Sequence, residues 1–197
     1  MKSGNHIRTY FNQVKSISDL IDKNKIEQLV SIISRIKKRN GRIFFLGIGG
    51  SAANSSHAVN DFRKLCEIEC YCQTDNVSEF SARINDEGWD SSFVEWLKIS
   101  RLNKKDGIFI FSVGGGNLKK KVSVNLIKSI NYAKKIGSVI LGVVSRDGGY
   151  TKKYGDTVIV IPIISKNLIT PHAEAFQAVI WHCLVSHPLL QTKKTKW

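Results

Sequence analysis

The sequence predicts an α/β protein built on a doubly wound parallel sheet with helices on both faces. Three observations predict it. Short segments that are apolar at nearly every residue alternate with longer segments of helical period, the pattern of strands buried on both faces. Two glycine-rich turns each follow such a strand and open a helix. The 197 residues fit one domain, 1–197, with 42% hydrophobic and 23% charged residues, a globular balance.

Residues 7–39 read as helix, with Ile17, Leu20, Ile21, Ile26, Leu29, Val30, Ile33 and Ile36 recurring mostly three or four apart. Asn40-Gly41 ends it, because both residues tolerate a left-handed conformation. Residues 42–46 form the first strand, 47–51 the first glycine-rich turn, and 52–64 a helix. Residues 68–74 suit a second strand and Asp75-Asn76 a turn. Helix is expected over 91–100, strand over 108–112, the second glycine-rich turn over 113–117, and helix over 121–136, closed by Gly137. Strand 138–144, a loop over 145–150 holding Asp147-Gly148-Gly149, and strand 157–162 follow. The last helix is expected over 170–186, capped by Thr170 with Pro171 in its first turn.

Composition excludes several classes. The start of the chain lacks the apolar stretch of a signal peptide, and no apolar run is long enough to span a bilayer, so no membrane association is expected. The cysteines are Cys66, Cys70, Cys72 and Cys183. Cys70-Tyr71-Cys72 is not the C-x-x-C of a redox or zinc pair, so reduced, buried thiols in a cytoplasmic protein are expected. The formal net charge is +14. Its lysines are scattered, with small basic clusters at 37–39, 119–121 and 193–196 and without interleaved aromatics for base stacking. A basic surface that attracts anionic metabolites is expected, and nucleic acid is not.

The two turns carry chemistry. The first is Gly47-Ile48-Gly49-Gly50-Ser51 and the second Ser112-Val113-Gly114-Gly115-Gly116-Asn117. Glycine lets backbone N–H groups approach a ligand, and a helix N-terminus adds free donors and partial positive charge. Together with serine hydroxyls these form a phosphate cradle. Neither turn is a Rossmann fingerprint or a P-loop, so no nucleotide cofactor is expected.

His57 and Asp61, four apart, share one face of the helix after the first turn. Glu174 and His182, eight apart, fall near one face of the last helix. Two histidines and two carboxylates suit a tetrahedral zinc site or a set of general acids and bases; the same spacing also suits a surface pair and a core histidine beside Trp181. His172, His187 and His6 read as structural or solvent-facing.

These residues resemble the SIS (sugar isomerase) domain of the sedoheptulose 7-phosphate isomerases, also called phosphoheptose isomerases. The run Phe45–Asp61, FLGIGGSAANSSHAVND, is similar to that family's glycine-rich stretch followed by a histidine and then an acid. Asn85-Asp86 before Gly88-Trp89, the 112–117 loop, Asp147-Gly148-Gly149, and Glu174 with His182 resemble its other motifs, over about residues 7–190. The resemblance implies a five-stranded, flavodoxin-like parallel sheet and a homotetramer with active sites at subunit interfaces, the N-terminal helix packing between subunits. It implies a phosphate held by Ser112, Gly114, Gly115, Gly116 and Asn117 with help from Ser51. It further implies sugar contacts from Gly49, Gly50, Asn85, Asp86 and Glu174. His57, Asp61, Glu174 and His182 are the implied ligands of one zinc ion per site. His182, Asp61 and Glu174 are the implied acid/base set.

The implied reaction is the aldose–ketose isomerisation of sedoheptulose 7-phosphate to D-glycero-D-manno-heptose 7-phosphate through an enediol, serving lipopolysaccharide or capsule heptose biosynthesis. The alternative is a non-catalytic sugar-phosphate sensor or protein-binding regulator. The chain departs from the family pattern at Ile48 (Asn in the family), Asp61 (Glu), Glu174 (Gln) and Val113-Gly114 (Thr-Ser).

Overall fold

The computed structural model describes residues 3–194. Lys196, the end of the last lysine cluster, lies outside the described residues. Five parallel strands form one sheet: β1 (Ile43–Leu46), β2 (Cys70–Cys72), β3 (Gly107–Phe111), β4 (Val139–Val144) and β5 (Thr157–Val160). Their spatial order is β2-β1-β3-β4-β5, every neighbouring pair parallel. The flavodoxin-like expectation holds. In this order the chain reverses direction across the sheet between β1 and β3, where a crevice opens at the carboxyl ends of the strands.

The helices are α1 (Ser3–Leu20), α2 (Lys23–Lys38), α3 (Gly50–Cys66), α4 (Val77–Glu87), α5 (Ser92–Ile99), α6 (Val124–Ile136), α7 (Gly149–Tyr154) and α8 (Ile169–Val185). Alternate strand residues feed opposite faces, as the pleat requires. Phe45, Phe109, Phe111, Leu141 and Val143 pack under α2, α3 and α8. Phe44, Leu46, Ile108, Ile110 and Ile140 pack under α5 and α6. Phe45 and Phe109 stack at 5.1 Å and 15°. Each such fully buried ring contributes roughly 1.5–3 kcal/mol. Away from the crevice, Asp106 receives Arg42 Nη2 at 2.8 Å and Arg42 N at 2.9 Å, tying the starts of β1 and β3 together.

Four expectations are corrected. The helix expected over 7–39 is two helices, because the Asp22 side chain accepts Lys25 N–H and starts α2 afresh. The helix expected from Lys121 begins at Val124: residues 117–122 close a small hairpin through the Asn117–Val122 bridge, and Lys121 and Ser123 adopt positive φ. The loop expected over 145–150 gives way to α7 at Gly149. Thr170 does not cap α8, which starts at Ile169 without a side-chain cap.

The sequence reading missed α4. None of its residues is fully buried, and its short apolar row, Val77, Phe80 and Ile84, reaches the core only through Phe80. The Asn76 cap and the Arg83 pairs with Glu79 and Glu87 add to that contact. Of the cysteines, Cys66, Cys70 and Cys72 are buried and free as expected, whereas Cys183 is exposed on α8. Among the described residues no helix is long and apolar enough to cross a membrane.

Candidate active site

A cavity of about 690 Å³ opens at the crevice between β1 and β3. Both glycine-rich turns line it, through Ile48 and Ser51 from the first and Ser112, Val113, Gly114, Gly116 and Asn117 from the second. Lys120, Ser123, Arg146, Asp147 and Thr170 complete its polar wall.

The second turn is held from behind. Thr151 N–H and its hydroxyl both donate to Gly115 O at 2.8 Å, and Tyr150 N–H donates to Gly116 O at 2.9 Å. The free N–H groups at the start of α7 are thereby satisfied. The approach is so close that a Cβ on Gly115 would overlap Gly148 O, and one on Gly149 would overlap Gly114 O. The Asp147-Gly148-Gly149 motif is therefore a backbone seat for the cradle. Gly115 N–H is used inside the loop by Ser112 Oγ at 3.0 Å. The N–H groups of Val113, Gly114 and Gly116 donate to no acceptor among the described residues. They remain for a ligand.

The first turn is tied to α8. Gln177 donates to Ser51 Oγ at 3.0 Å, and Asn54 donates to Gln177 Oε1 at 2.8 Å and to Glu174 O at 2.9 Å. The Glu174 carboxylate lies against Gly50, where a Cβ would sit 2.5 Å from Oε2. An anionic side chain at the N-terminus of α3 is favoured by the helix dipole.

Further along α3, His57, Asp61 and His182 converge, with one ligand atom from each lying within 4.8 Å of the others. His57 Nε2 and His182 Nε2 each stand 3.5 Å from Asp61 Oδ2. That is long for a hydrogen bond. It is close to the roughly 3.4 Å edge between neighbouring ligands of a tetrahedral ion with bonds of about 2.05 Å. Asp61 is 5% exposed, and its orientation is fixed by Trp181 Nε1–H to Oδ2 at 3.0 Å and Asn60 Nδ2–H to Oδ1 at 3.0 Å. Both histidine side chains are about half exposed, so the group opens to solvent. Two imidazole nitrogens and a carboxylate oxygen are a fitting donor set for a divalent cation such as zinc.

The residues expected from the sequence fall in two groups, the cavity between the turns and the His57–Asp61–His182 group, which does not line that cavity. Ser51, Ser112, Gly114, Gly116 and Asn117 line the cavity, while Gly49, Gly50 and Gly115 shape its turns without lining it. Glu174 faces the first turn and stands outside the His57–Asp61–His182 group. Asn85 and Asp86 are exposed on the last turn of α4, bonded to each other at 2.7 Å, and do not line the cavity. His172 is structural, packed against the Tyr10 ring at 4.6 Å and bonded to Gln13 at 2.8 Å. Sequence reasoning missed Lys120, Ser123, Arg146 and Thr170. Its only signals for the two cations were a lysine cluster after the second turn and a basic residue before Asp147.

Comparison with known proteins agrees with this geometry. The SIS domain family matches residues 9–145. The lincomycin biosynthesis protein LmbN of Streptomyces lincolnensis is 33% identical over 158 residues, 75% of this chain and 56% of that protein, so the chain spans little more than half of that relative. The phosphoheptose isomerase of Syntrophotalea carbinolica is 23% identical over 184 residues, 89% of this chain and 88% of that protein. Among solved structures, phosphoheptose isomerase GmhA from Neisseria gonorrhoeae superposes with a TM-score of 0.80 at 19% identity, covering 92% of this chain and 97% of that one. The fold, the two glycine-rich turns and the matched residues agree, and the chain belongs to the SIS domain family.

Proposed function

We propose that this chain is a sugar-phosphate aldose–ketose isomerase that converts sedoheptulose 7-phosphate to D-glycero-D-manno-heptose 7-phosphate. The observation that carries the reading is the convergence of His57 and Asp61, on the helix opened by the first glycine-rich turn, with His182 of α8. Relatives named phosphoheptose isomerase support the substrate. From Ser51 to His57, α3 rises about 9 Å. The anion-binding end and the reacting end are therefore separated along the helix, which suits an elongated sugar phosphate.

In this reading the phosphate is held by the free N–H groups of Val113, Gly114 and Gly116, with Ser112, Asn117 and Ser51 adding polar contacts. Glu174, beside Gly50, faces the sugar hydroxyls from α8. His182 is the base that removes the proton from the carbon beside the carbonyl, a half-exposed imidazole held beside the Asp61 carboxylate. The proton returns to the neighbouring carbon of the enediol, which converts ketose to aldose. Asp61 holds both imidazoles in place through its fixed carboxylate.

His57, Asp61 and His182 would hold one zinc ion, which when bound polarises the carbonyl and steadies the developing oxyanion. Three protein ligands leave an open position, the arrangement of a catalytic site. One nitrogen of His182 cannot serve as ligand and base together, so its two roles alternate or fall to different nitrogens. A homotetramer with interface active sites is part of the proposal. The exposed Ile7, Phe11 and Leu20 of α1 offer apolar surface for a subunit contact, and the exposure of Asn85 and Asp86 is compatible with a contact from a neighbour. The buried, free Cys66, Cys70 and Cys72 are in keeping with a cytoplasmic setting and a role in heptose biosynthesis there.

The test is turnover of sedoheptulose 7-phosphate with and without added zinc, followed by NMR in the parent chain and in His182→Ala and Asp61→Ala. Product formed by the parent and lost in both folded variants is expected. Full turnover in either variant contradicts the assignment. Binding without turnover in the parent would favour the sensor reading.

A further inference from the structure

The cavity holds two cations that form no ion pair among the described residues. Lys120 comes from the hairpin after the second glycine-rich turn, and Arg146 from the loop between β4 and α7. Neither makes an ion pair among the described residues, whereas Arg42, Arg83, Lys98 and Lys193 all do. The one carboxylate in the wall, Asp147, is engaged by Gly149 N–H at 3.1 Å.

Both cations are placed by the backbone. Asn117 Oδ1 accepts Lys120 N–H at 2.9 Å, and the Asn117–Val122 bridge closes the hairpin on either side of it. Arg146 has φ +54°, uncommon for a residue with a side chain, and its Cδ passes 3.9 Å from the place of a Cβ on Gly114. The guanidinium stem therefore runs across the turn that carries the free N–H groups. Between Ser112 and Asn117 the turn offers an anion only backbone, because Val113, Gly114, Gly115 and Gly116 carry no hydroxyl.

We propose that Lys120 and Arg146 form a cationic clamp on the phosphate, replacing by charge the hydroxyl donors that this turn lacks. The inference rests on the reading that the cavity takes a sugar phosphate. Guanidinium and ammonium donors to phosphate oxygens are charge-assisted and roughly twice as strong as neutral bonds. Such a clamp prefers the dianion, so binding strengthens as pH rises through the second phosphate pKa near about 6. It also weakens with salt more steeply than a turn lined by hydroxyls.

The test measures the affinity of inorganic phosphate and of sedoheptulose 7-phosphate for the full chain and for Lys120→Gln, Arg146→Gln, Arg146→Lys and Lys119→Gln. Lys119 is on the same hairpin but does not line the cavity. Melting curves confirm that each variant is folded. Lys120→Gln and Arg146→Gln are expected to weaken both ligands about tenfold. Their KM should rise by a similar factor and their kcat should change little, since the lost contact is made equally in ground and transition states. Arg146→Lys should recover part of the loss, and Lys119→Gln should match the parent. Unchanged affinity in both glutamine variants overturns the clamp. Equal losses in Lys119→Gln and Lys120→Gln overturn it too, because the effect is then general surface charge. A parent chain that binds neither ligand overturns the clamp and the sugar-phosphate reading together. A parent that binds both without turnover removes the isomerase alone, and the variants' affinities still decide the clamp.

Discussion

Trp181 donates its indole N–H to Asp61 Oδ2 at 3.0 Å, on the same oxygen that faces Nε2 of His57 and His182. The Trp181 ring also packs 5.2 Å from His57 and 4.7 Å from His182, so one side chain orients all three members of the group. Trp181→Phe keeps most of the apolar contact and deletes the donor. Zinc affinity should fall roughly 10- to 100-fold, the usual consequence of removing a partner behind a ligand. Stability should fall by about 1–3 kcal/mol because a buried carboxylate oxygen loses its bond. Metal titration by calorimetry and a denaturant melt read the two effects separately.

The zinc ion itself should act as a ligand of the folded chain. Adding it at about 100 times its dissociation constant should raise the unfolding free energy by roughly 2.7 kcal/mol. Asp61→Ala should lose this increment, while Glu174→Ala, altered outside the converging group, should keep most of it. Differential scanning fluorimetry with and without chelator measures both. Equal increments in the parent and Asp61→Ala would remove the metal site.

Much of this was legible in the sequence because it is local. Apolar runs named all five strands, and the two glycine-rich turns named the cavity between them. The four-residue spacing of His57 and Asp61 put them on one helical face, and His182 met them because α3 packs on α8. What escaped was set by capping or tertiary contact. The break at Ile21-Asp22 depends on one cap, and α4 carries only a short apolar row, none of it fully buried, beside its cap and charge pairs. Lys120 and Arg146 lie 26 positions apart in two segments that resemble ordinary solvated loops, and only the closure of the second turn on α7 brings them to one cavity. Glu174 shares a helix with His182, but eight residues of rise, about 12 Å, separate it from the group it was expected to join.

Gly115 packs against the Gly148 carbonyl with no room for a Cβ, and its own φ is +68°. Gly115→Ala should therefore push the second turn off its seat on α7. Loss of phosphate affinity and a drop in melting temperature should appear together, read by phosphate titration and a thermal melt.

Burial raises the thiol pKa of Cys66 to about 11 and also raises those of Cys70 and Cys72. Cys183 is the exposed thiol. A thiol reagent near about pH 8 should label Cys183 quickly and the other three only after denaturation, because the thiolate is the reacting species. Mass spectrometry of the labelled chain gives the count; rapid labelling of Cys66 would contradict the packing of α3 on α8.

His172 joins α8 to α1, and burial holds its imidazole below the ordinary value of 6.5. The unfolded chain then binds this proton more readily than the folded one. Its contribution to stability is complete above about pH 6.5 and declines as pH falls through that value toward the depressed folded pKa, below which it levels off. His172→Gln should flatten this part of the stability profile, measured as melting temperature against pH. An unchanged slope would mean that the proton uptake occurs elsewhere.

The most direct test of the isomerase reading is to incubate the zinc-loaded chain with sedoheptulose 7-phosphate in D2O and follow the sugar by NMR. The account predicts D-glycero-D-manno-heptose 7-phosphate carrying solvent deuterium on the carbon beside its carbonyl, with both product and label lost in His182→Ala. Neither product nor label from a folded, zinc-loaded chain that binds the sugar phosphate would contradict it and leave a binding protein in its place.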